Sequence, residues 1–198
     1  MAAADFIVPL LKVALERCSR IEVVNRPSLV DLGGAVLACN HTGWADGLAV
    51  AYAVYPRRLY FMSKDELFDA HVLGWILEQL GGFPISRERP LPGSIKTAKG
   101  LLVRGELVLI YPAGTRGNKE IAFKRGAVTL ALMAGVPIVP ILYVGPGKIR
   151  PLHFLRRPIV RVIFGKPIPA IREARRRDVI YAISGKLKAE ISKLGTIG

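Results

Sequence analysis

Residues 35–50 read Ala35-Val36-Leu37-Ala38-Cys39-Asn40-His41-Thr42-Gly43-Trp44-Ala45-Asp46-Gly47-Leu48-Ala49-Val50. The run Ala35–Cys39 is continuously apolar, with no polar residue in alternation, which marks a strand covered on both faces. A polar, glycine-bearing turn follows at once, and then a helical stretch near Gly47–Val54. Strand, turn and helix in that order open a βα unit, and such units build parallel sheets.

The same grammar extends outward. Strand-length apolar runs recur at Ile21–Asn25, Leu59–Met62, Leu107–Tyr111, Ile138–Tyr143 and Ile159–Phe164. Helix-like stretches lie between them near Lys64–Phe68, Val72–Leu80, Ser94–Val103 and Gly126–Ala134, and a last helix falls between Glu173 and Leu194. The fold expected is α/β, one domain, with a mixed but mostly parallel sheet flanked by helices. Ser63-Lys64-Asp65-Glu66 fits a capping box with Ser63 as N-cap. Gly135-Val136-Pro137 ends one helix and opens the next strand. The last helix starts in a basic run, Arg172, Arg175, Arg176 and Arg177, which opposes the helix dipole and points to a purpose other than helix stability.

At 198 residues and 51% apolar, the chain has enough material for one substantial core and is not a disordered chain. It shows no internal repeat, low-complexity segment or long linker. Lys and Arg number 29 against 15 acidic residues, a net +14, which directs attention to phosphate, anionic lipid, nucleic acid or an acidic carrier protein. Two cysteines make no disulfide framework, and with three histidines no metal site is expected. No run of about 18 apolar residues encodes a transmembrane helix. The N-terminal stretch lacks the marks of a secretory signal, so the expected compartment is the cytoplasm, at a membrane surface.

Residues 1–20 are expected to form an amphipathic helix distinct from the domain at 21–198. Phe6, Leu10, Val13, Ala14 and Arg17 follow helical spacing, while Pro9 suits a first turn better than a helix middle. Such a helix either packs on the domain's own core or rests in the plane of a lipid surface.

The chemistry-bearing residues gather where strands end. In open α/β sheets, ligands bind at the carboxyl ends of strands, and His41 follows such an end directly. Asp46 is five residues on; along a continuous helix the two side chains would diverge by about 140°, but across a strand-to-helix turn they can meet. A carboxylate on one imidazole nitrogen fixes the tautomer and supports the cation formed when the other nitrogen takes a proton. The plainer reading is a histidine in a loop hydrogen bond and an aspartate capping a helix. Further on, Gly82-Phe83-Pro84-Ile85-Ser86-Arg87 offers a glycine turn and a short extended piece delivering Arg87, or else a surface arginine paired with an acid. Tyr111-Pro112-Ala113-Gly114-Thr115-Arg116 follows another apolar strand. Its glycine permits close backbone approach, and Arg116 suits bidentate phosphate binding. The spacing of a Walker loop is missing.

In this order, these segments resemble the glycerolipid acyltransferase family, that of the bacterial lysophosphatidic acid acyltransferases. His41 to Asp46 matches its H-x4-D motif, Gly82 to Arg87 its second motif, Pro112 to Arg116 its third, usually P-E-G-T-R, and Val136 to Pro140 its fourth. The resemblance runs over about residues 36–165. Position 113 departs from it, with Ala113 where the family usually has Glu.

The resemblance implies that His41 is a general base on an acceptor hydroxyl, with Asp46 orienting its ring. Arg87, Gly114, Thr115 and Arg116 would hold the acceptor's phosphate. It implies a lysophospholipid acceptor, with 1-acylglycerol 3-phosphate giving phosphatidic acid. Acyl-CoA or acyl carrier protein would be the cosubstrate, and no resident cofactor is needed. An anionic membrane surface is the expected further partner, met through Arg156, Arg157, Arg161, Lys166 and Arg172–Arg177. Rival readings are a non-catalytic or altered-specificity lipid-binding relative, which Ala113 favours, and a basic nucleic-acid-binding protein, for which no recognition motif is present. A Cys39–His41 nucleophile pair is a further alternative, set against Cys39 as core. His71 and His153 are expected to be non-catalytic, in a helix and a loop respectively. Trp44 either lines an acyl pocket or packs the helix start, and Trp75 is either core or part of an exposed apolar face.

Overall fold

The computed structural model describes residues 4–28, 31–85, 92–112, 126–150, 152–170 and 177–196. Within these, seven strands form one sheet: β1 (Arg20–Val24), β2 (Ala35–Cys39), β3 (Leu59–Lys64), β4 (Gly82–Ile85), β5 (Leu107–Ile110), β6 (Ile138–Val144) and β7 (Ile159–Phe164). Their order across the sheet is β1-β7-β6-β2-β5-β3-β4. β6, β2, β5, β3 and β4 are mutually parallel; β7 runs antiparallel to β6, and β1 pairs parallel to β7. The mixed, mostly parallel α/β sheet is therefore the one expected, with the reversed pair β1–β7 at one edge. Gly82–Ile85, read in the sequence only as a short extended piece, is a full edge strand.

Strand β2 lies mid-sheet, between β6 and β5, and every one of its residues has zero or near-zero exposure. Its alternate side chains serve two cores. Ala35, Leu37 and Cys39 pack with Ala49, Val50, Ala53 and Val54 of α2 (Ala45–Val54). Val36 and Ala38 face the opposite layer, built from α4 (Pro92–Val103), α5 (Gly126–Ala134) and α7 (Arg177–Leu194). The two-residue period of a strand makes this division. It also puts His41 on the parity of the α2 face. Ala45, Ala49 and Ala53 recur every fourth residue on α2, so the helix lies close to the sheet with little side-chain bulk between.

Some local expectations are corrected. Ser63 does not cap a helix; it belongs to β3, and the polar segment after it is a single 3-10 turn at Asp65–Leu67. Glu66 does not reach back to residue 63 but pairs with Lys64 at 3.4 Å. The tight pairing of β3 with β4 carries the extended backbone through the would-be cap. His153 opens a short helix, α6 (His153–Arg156), rather than lying in a loop. Trp75, in α3 (His71–Gln79), is half exposed and not core. Tyr111 leaves β5 instead of ending it.

Helix α1 (Ala4–Cys18) contains Pro9 inside it, not in its first turn. Its apolar residues are divided between two sides. Leu15 and Cys18 are buried, and the polar Lys12 and Glu16 turn towards α2: the Tyr52 hydroxyl donates to Glu16 Oε1 at 2.9 Å, and Lys12 Nζ sits over the Tyr52 and Tyr55 rings. Phe6, Leu10 and Val13 are left outside, 63%, 71% and 51% exposed. Helix α6 packs beside α1, tied to it by the Arg157 guanidinium donating to the Glu16 carbonyl at 2.8 Å, and it too exposes Phe154 and Leu155.

Candidate active site at the carboxyl edge of the sheet

Because β6, β2, β5 and β4 are parallel, the residues that follow each of them emerge at one edge of the sheet. His41 follows β2, Tyr111 follows β5, and the turn at Gly145–Gly147 follows β6. Asn40 extends the β2–β6 ladder by a side chain: its Oδ1 accepts the Tyr143 N–H at 2.7 Å and its Nδ2 donates to the Tyr143 carbonyl at 2.9 Å. The strand end that delivers His41 is thus held by a side chain as well as by backbone.

The backbone then turns sharply against the β6–α6 loop. Gly43 approaches Gly147 so closely that a Cβ on Gly43 would fall 1.8 Å from the Gly147 carbonyl oxygen. The same carbonyl accepts the Ala45 N–H at 3.3 Å. This turn folds Asp46 back on His41, across the five-residue spacing that a straight helix would keep apart. His41 Nδ1 lies 3.1 Å from Asp46 Oδ2. The same oxygen accepts the N–H of Thr42 at 2.8 Å and of Gly43 at 2.9 Å, and the Thr42 hydroxyl lies 3.4 Å away.

Asp46 has no exposed surface. Burial by itself would push its carboxyl up, but hydrogen bonds from His41, Gly43, Tyr111 and Thr42 outweigh burial and hold it below the usual carboxylate value of 3.8. An ionised carboxylate only accepts, so Nδ1 of His41 carries the proton and Nε2 is the nitrogen able to take one. The His41 side chain is 10% exposed, enough for access from the edge of the sheet. Tyr111 was part of the third sequence segment but had no role there. Its hydroxyl donates to Asp46 Oδ1 at 2.6 Å, and its ring stacks on the His41 ring at 4.0 Å.

Other candidates separate cleanly. Cys39 is fully buried, its thiol pushed well up by burial and by the charge of Asp46, and it points to Asn40 Oδ1; it is core, not a partner of His41. His71 opens α3, and His153 Nδ1 accepts the Arg150 N–H at 3.3 Å. Trp44 is 47% exposed at the start of α2. Arg161 pairs with Glu22 at 2.7 Å. Arg87, Ala113, Gly114, Thr115 and Arg116 lie outside the described residues, as do Arg172, Arg175 and Arg176. The chain does leave β4 at Ile85 and β5 at Ile110 on the His41 edge. Among the described residues no cluster of His, Cys, Asp or Glu is arranged as a metal-ligand set.

An imidazole backed by a buried carboxylate at the carboxyl edge of a parallel sheet is a proton-transfer site, and its sequence matches a known pattern. The Acyltransferase family pattern matches residues 20–144. The chain belongs to this family: it is an acyltransferase. It is 38% identical over 163 residues to a 1-acyl-sn-glycerol-3-phosphate acyltransferase of Bacillus subtilis (strain 168), spanning 82% of this chain and 81% of that protein. It is 33% identical over 161 residues to the protein of the same name from Streptococcus pneumoniae, where the match spans 80% of this chain and 60% of that protein. In fold it is similar to the 1-acyl-sn-glycerophosphate (LPA) acyltransferase PlsC of Thermotoga maritima, with a TM-score of 0.70 at 18% identity over 98% of this chain and 81% of that one.

Proposed function

We propose that the protein transfers a fatty acyl group from a thioester to the free hydroxyl of a lysophospholipid, with 1-acylglycerol 3-phosphate as acceptor and phosphatidic acid as product. The observation that carries this is the His41–Asp46 pair, 3.1 Å apart, at the sheet edge where the other motif segments depart. The names of the similar bacterial proteins support the acceptor. The donor is acyl-CoA or acylated carrier protein, and no resident cofactor takes part.

In this reading Nε2 of His41 accepts the proton as the acceptor oxygen attacks the thioester carbonyl. The tetrahedral intermediate collapses, the carbon–sulfur bond breaks, and the imidazolium returns the proton to the leaving thiolate. Asp46 stays ionised throughout and stabilises the imidazolium. Arg87 and Arg116, with the Gly114–Thr115 backbone, bind the acceptor phosphate, which converts a two-body encounter into an oriented one. General base catalysis of this kind contributes typically about 10²–10⁴-fold.

The outward apolar face of α1 supports a peripheral site on the cytoplasmic leaflet, with residues 1–20 as the contacting element and 21–198 as the catalytic unit. Phe6, Leu10 and Val13 would enter the lipid boundary beside Phe154 and Leu155, with Arg17 and Arg156 over anionic head groups. Among the described residues no helix is long and apolar enough to cross a membrane.

The test is a screen of lysolipid acceptors against CoA and carrier-protein donors, read by thiol release and by mass spectrometry of the product. Wild-type enzyme should consume donor with 1-acylglycerol 3-phosphate, and His41→Ala should lose about 10²–10⁴-fold in kcat. Undiminished turnover in His41→Ala would falsify the mechanism. Vesicle binding without donor consumption would instead support a non-catalytic lipid-binding role.

A further inference from the structure

We propose that Tyr111 is a positioning residue of the acyl-transfer site, fixing the Asp46 carboxylate and the His41 ring together; the inference rests on the catalytic pair assigned above. The argument begins with Asp46. His41 Nδ1, both backbone N–H groups and the Thr42 hydroxyl all converge on a single oxygen, Oδ2. The terminal torsion of an aspartate is broad and nearly two-fold, so donors on one oxygen leave the plane of the carboxylate free to swing. A donor on the other oxygen removes that freedom. Tyr111 supplies it, with its hydroxyl 2.6 Å from Oδ1.

The ring of the same residue acts on the second member of the pair. It lies against the His41 imidazole at 4.0 Å between centroids and 25° between planes. The imidazole is therefore held at Nδ1 by Asp46 and across its face by Tyr111, and rotation about its own terminal torsion is blocked. Each contact supports the other: the stack aims the hydroxyl, and the hydroxyl seats the ring. The register explains how this comes about. Tyr111 steps off β5, next to β2 in the sheet, so the two side chains meet across neighbouring strand ends. Position 47 is also part of the arrangement. A Cβ on Gly47 would stand 3.1 Å from the Tyr111 oxygen, so the glycine in the first turn of α2 leaves the space the hydroxyl occupies.

Two variants divide the role. Tyr111→Phe keeps the stack and removes the donor; Tyr111→Leu removes both. Tyr111→Phe should lower kcat about tenfold, the scale of one hydrogen bond to a charged group, with KM for donor and acceptor within about twofold. Tyr111→Leu should lose more. In the background of Asp46→Asn the Phe substitution should cost nothing further, because the group it positions is gone. A readout independent of turnover comes from ring-nitrogen shifts of His41 in ligand-free enzyme, assigned by comparison with His41→Gln, at a pH where the ring is neutral. Wild type should report a single Nδ1–H tautomer, and Tyr111→Phe should move towards the average of the two. Wild-type kcat in Tyr111→Phe, full additivity with Asp46→Asn, or unchanged nitrogen shifts would each overturn the proposal. If wild-type enzyme acylates no lysophospholipid, the functional reading fails, while the nitrogen shifts still decide whether Tyr111 sets the ring.

Discussion

Gly43 and Gly147 meet backbone to backbone: a Cβ on Gly43 would overlap the Gly147 carbonyl, and a Cβ on Gly147 would stand 2.6 Å from the Thr42 carbonyl oxygen. This contact shapes the turn that brings Asp46 back to His41, so it links the β6–α6 loop to the reacting pair. Gly43→Ala cannot be relieved by rotating a side chain, because the obstacle is backbone. It should therefore displace the turn and reduce kcat by about 10²-fold, the scale expected when a reacting group shifts by about 1 Å. Thermal unfolding should show a smaller, separate loss. Full activity in Gly43→Ala would mean that the turn adjusts without moving Asp46.

Asp46 also gives a signed pH prediction. Its folded carboxyl lies below its ordinary value, so the unfolded chain binds the proton more readily. The stability this confers is complete above the ordinary carboxylate range and is lost as pH falls through the lower, folded value. Melting temperature should thus drop more steeply for wild type than for Asp46→Asn as pH falls below about 4. Parallel slopes for the two proteins would show that Asp46 has no preference for its charged form in the fold.

The proposed phosphate contacts make a kinetic prediction. Arg116→Ala should raise KM for the acceptor at least tenfold and leave KM for the donor little changed, as loss of a charge-assisted contact to one substrate alone requires. Equal effects on both constants would remove the specific role. Ala113→Glu, tested alongside, should alter acceptor preference or KM if the family's usual carboxylate acts in this site; identical acceptor profiles would show that position 113 is neutral.

The face of α1 predicts lipid binding. Phe6→Ser/Leu10→Ser should weaken sedimentation with phosphatidic-acid-containing vesicles by tenfold or more, since each side chain withdrawn from lipid forfeits on the order of 2 kcal/mol. Turnover of a short-chain, monomeric acceptor should remain within about twofold, because the helix is far in role from the proton transfer. Unchanged vesicle binding would mean that the apolar face meets something else.

The sheet was legible because its central strand is an uninterrupted apolar run: Ala35–Cys39 falls at the expected residues, as does the helix Gly126–Ala134 that packs against it. Gly82–Ile85 was not read as a strand, since four residues containing a proline carry little periodic signal, and a proline is tolerable there because β4 is an edge. The false cap at Ser63 shows local preference overruled by sheet pairing. In the site, His41 and Asp46 were visible as a motif. Tyr111 was not assigned a role, because nothing in one sequence says that a residue 65 positions beyond Asp46 will stand beside it. Strand order supplies that proximity. Likewise α1 read as amphipathic from its spacing, but that it buries Leu15 and Cys18, meets Tyr52 and Tyr55 through Lys12 and Glu16, and leaves Phe6, Leu10 and Val13 outside depended on what the fold sets beside it.

Cys18 and Cys39 are both free and buried, and Cys39 is held strongly as the thiol. Burial shields both from alkylating reagents, and Cys39 in addition lacks the thiolate that such reagents attack, so neither residue should compete for them in the folded enzyme. A cysteine placed at Phe154 or Phe6 can therefore carry a polarity-sensitive fluorophore with the native pair left intact, and the protein becomes its own reporter of how deeply each helix sits in a bilayer.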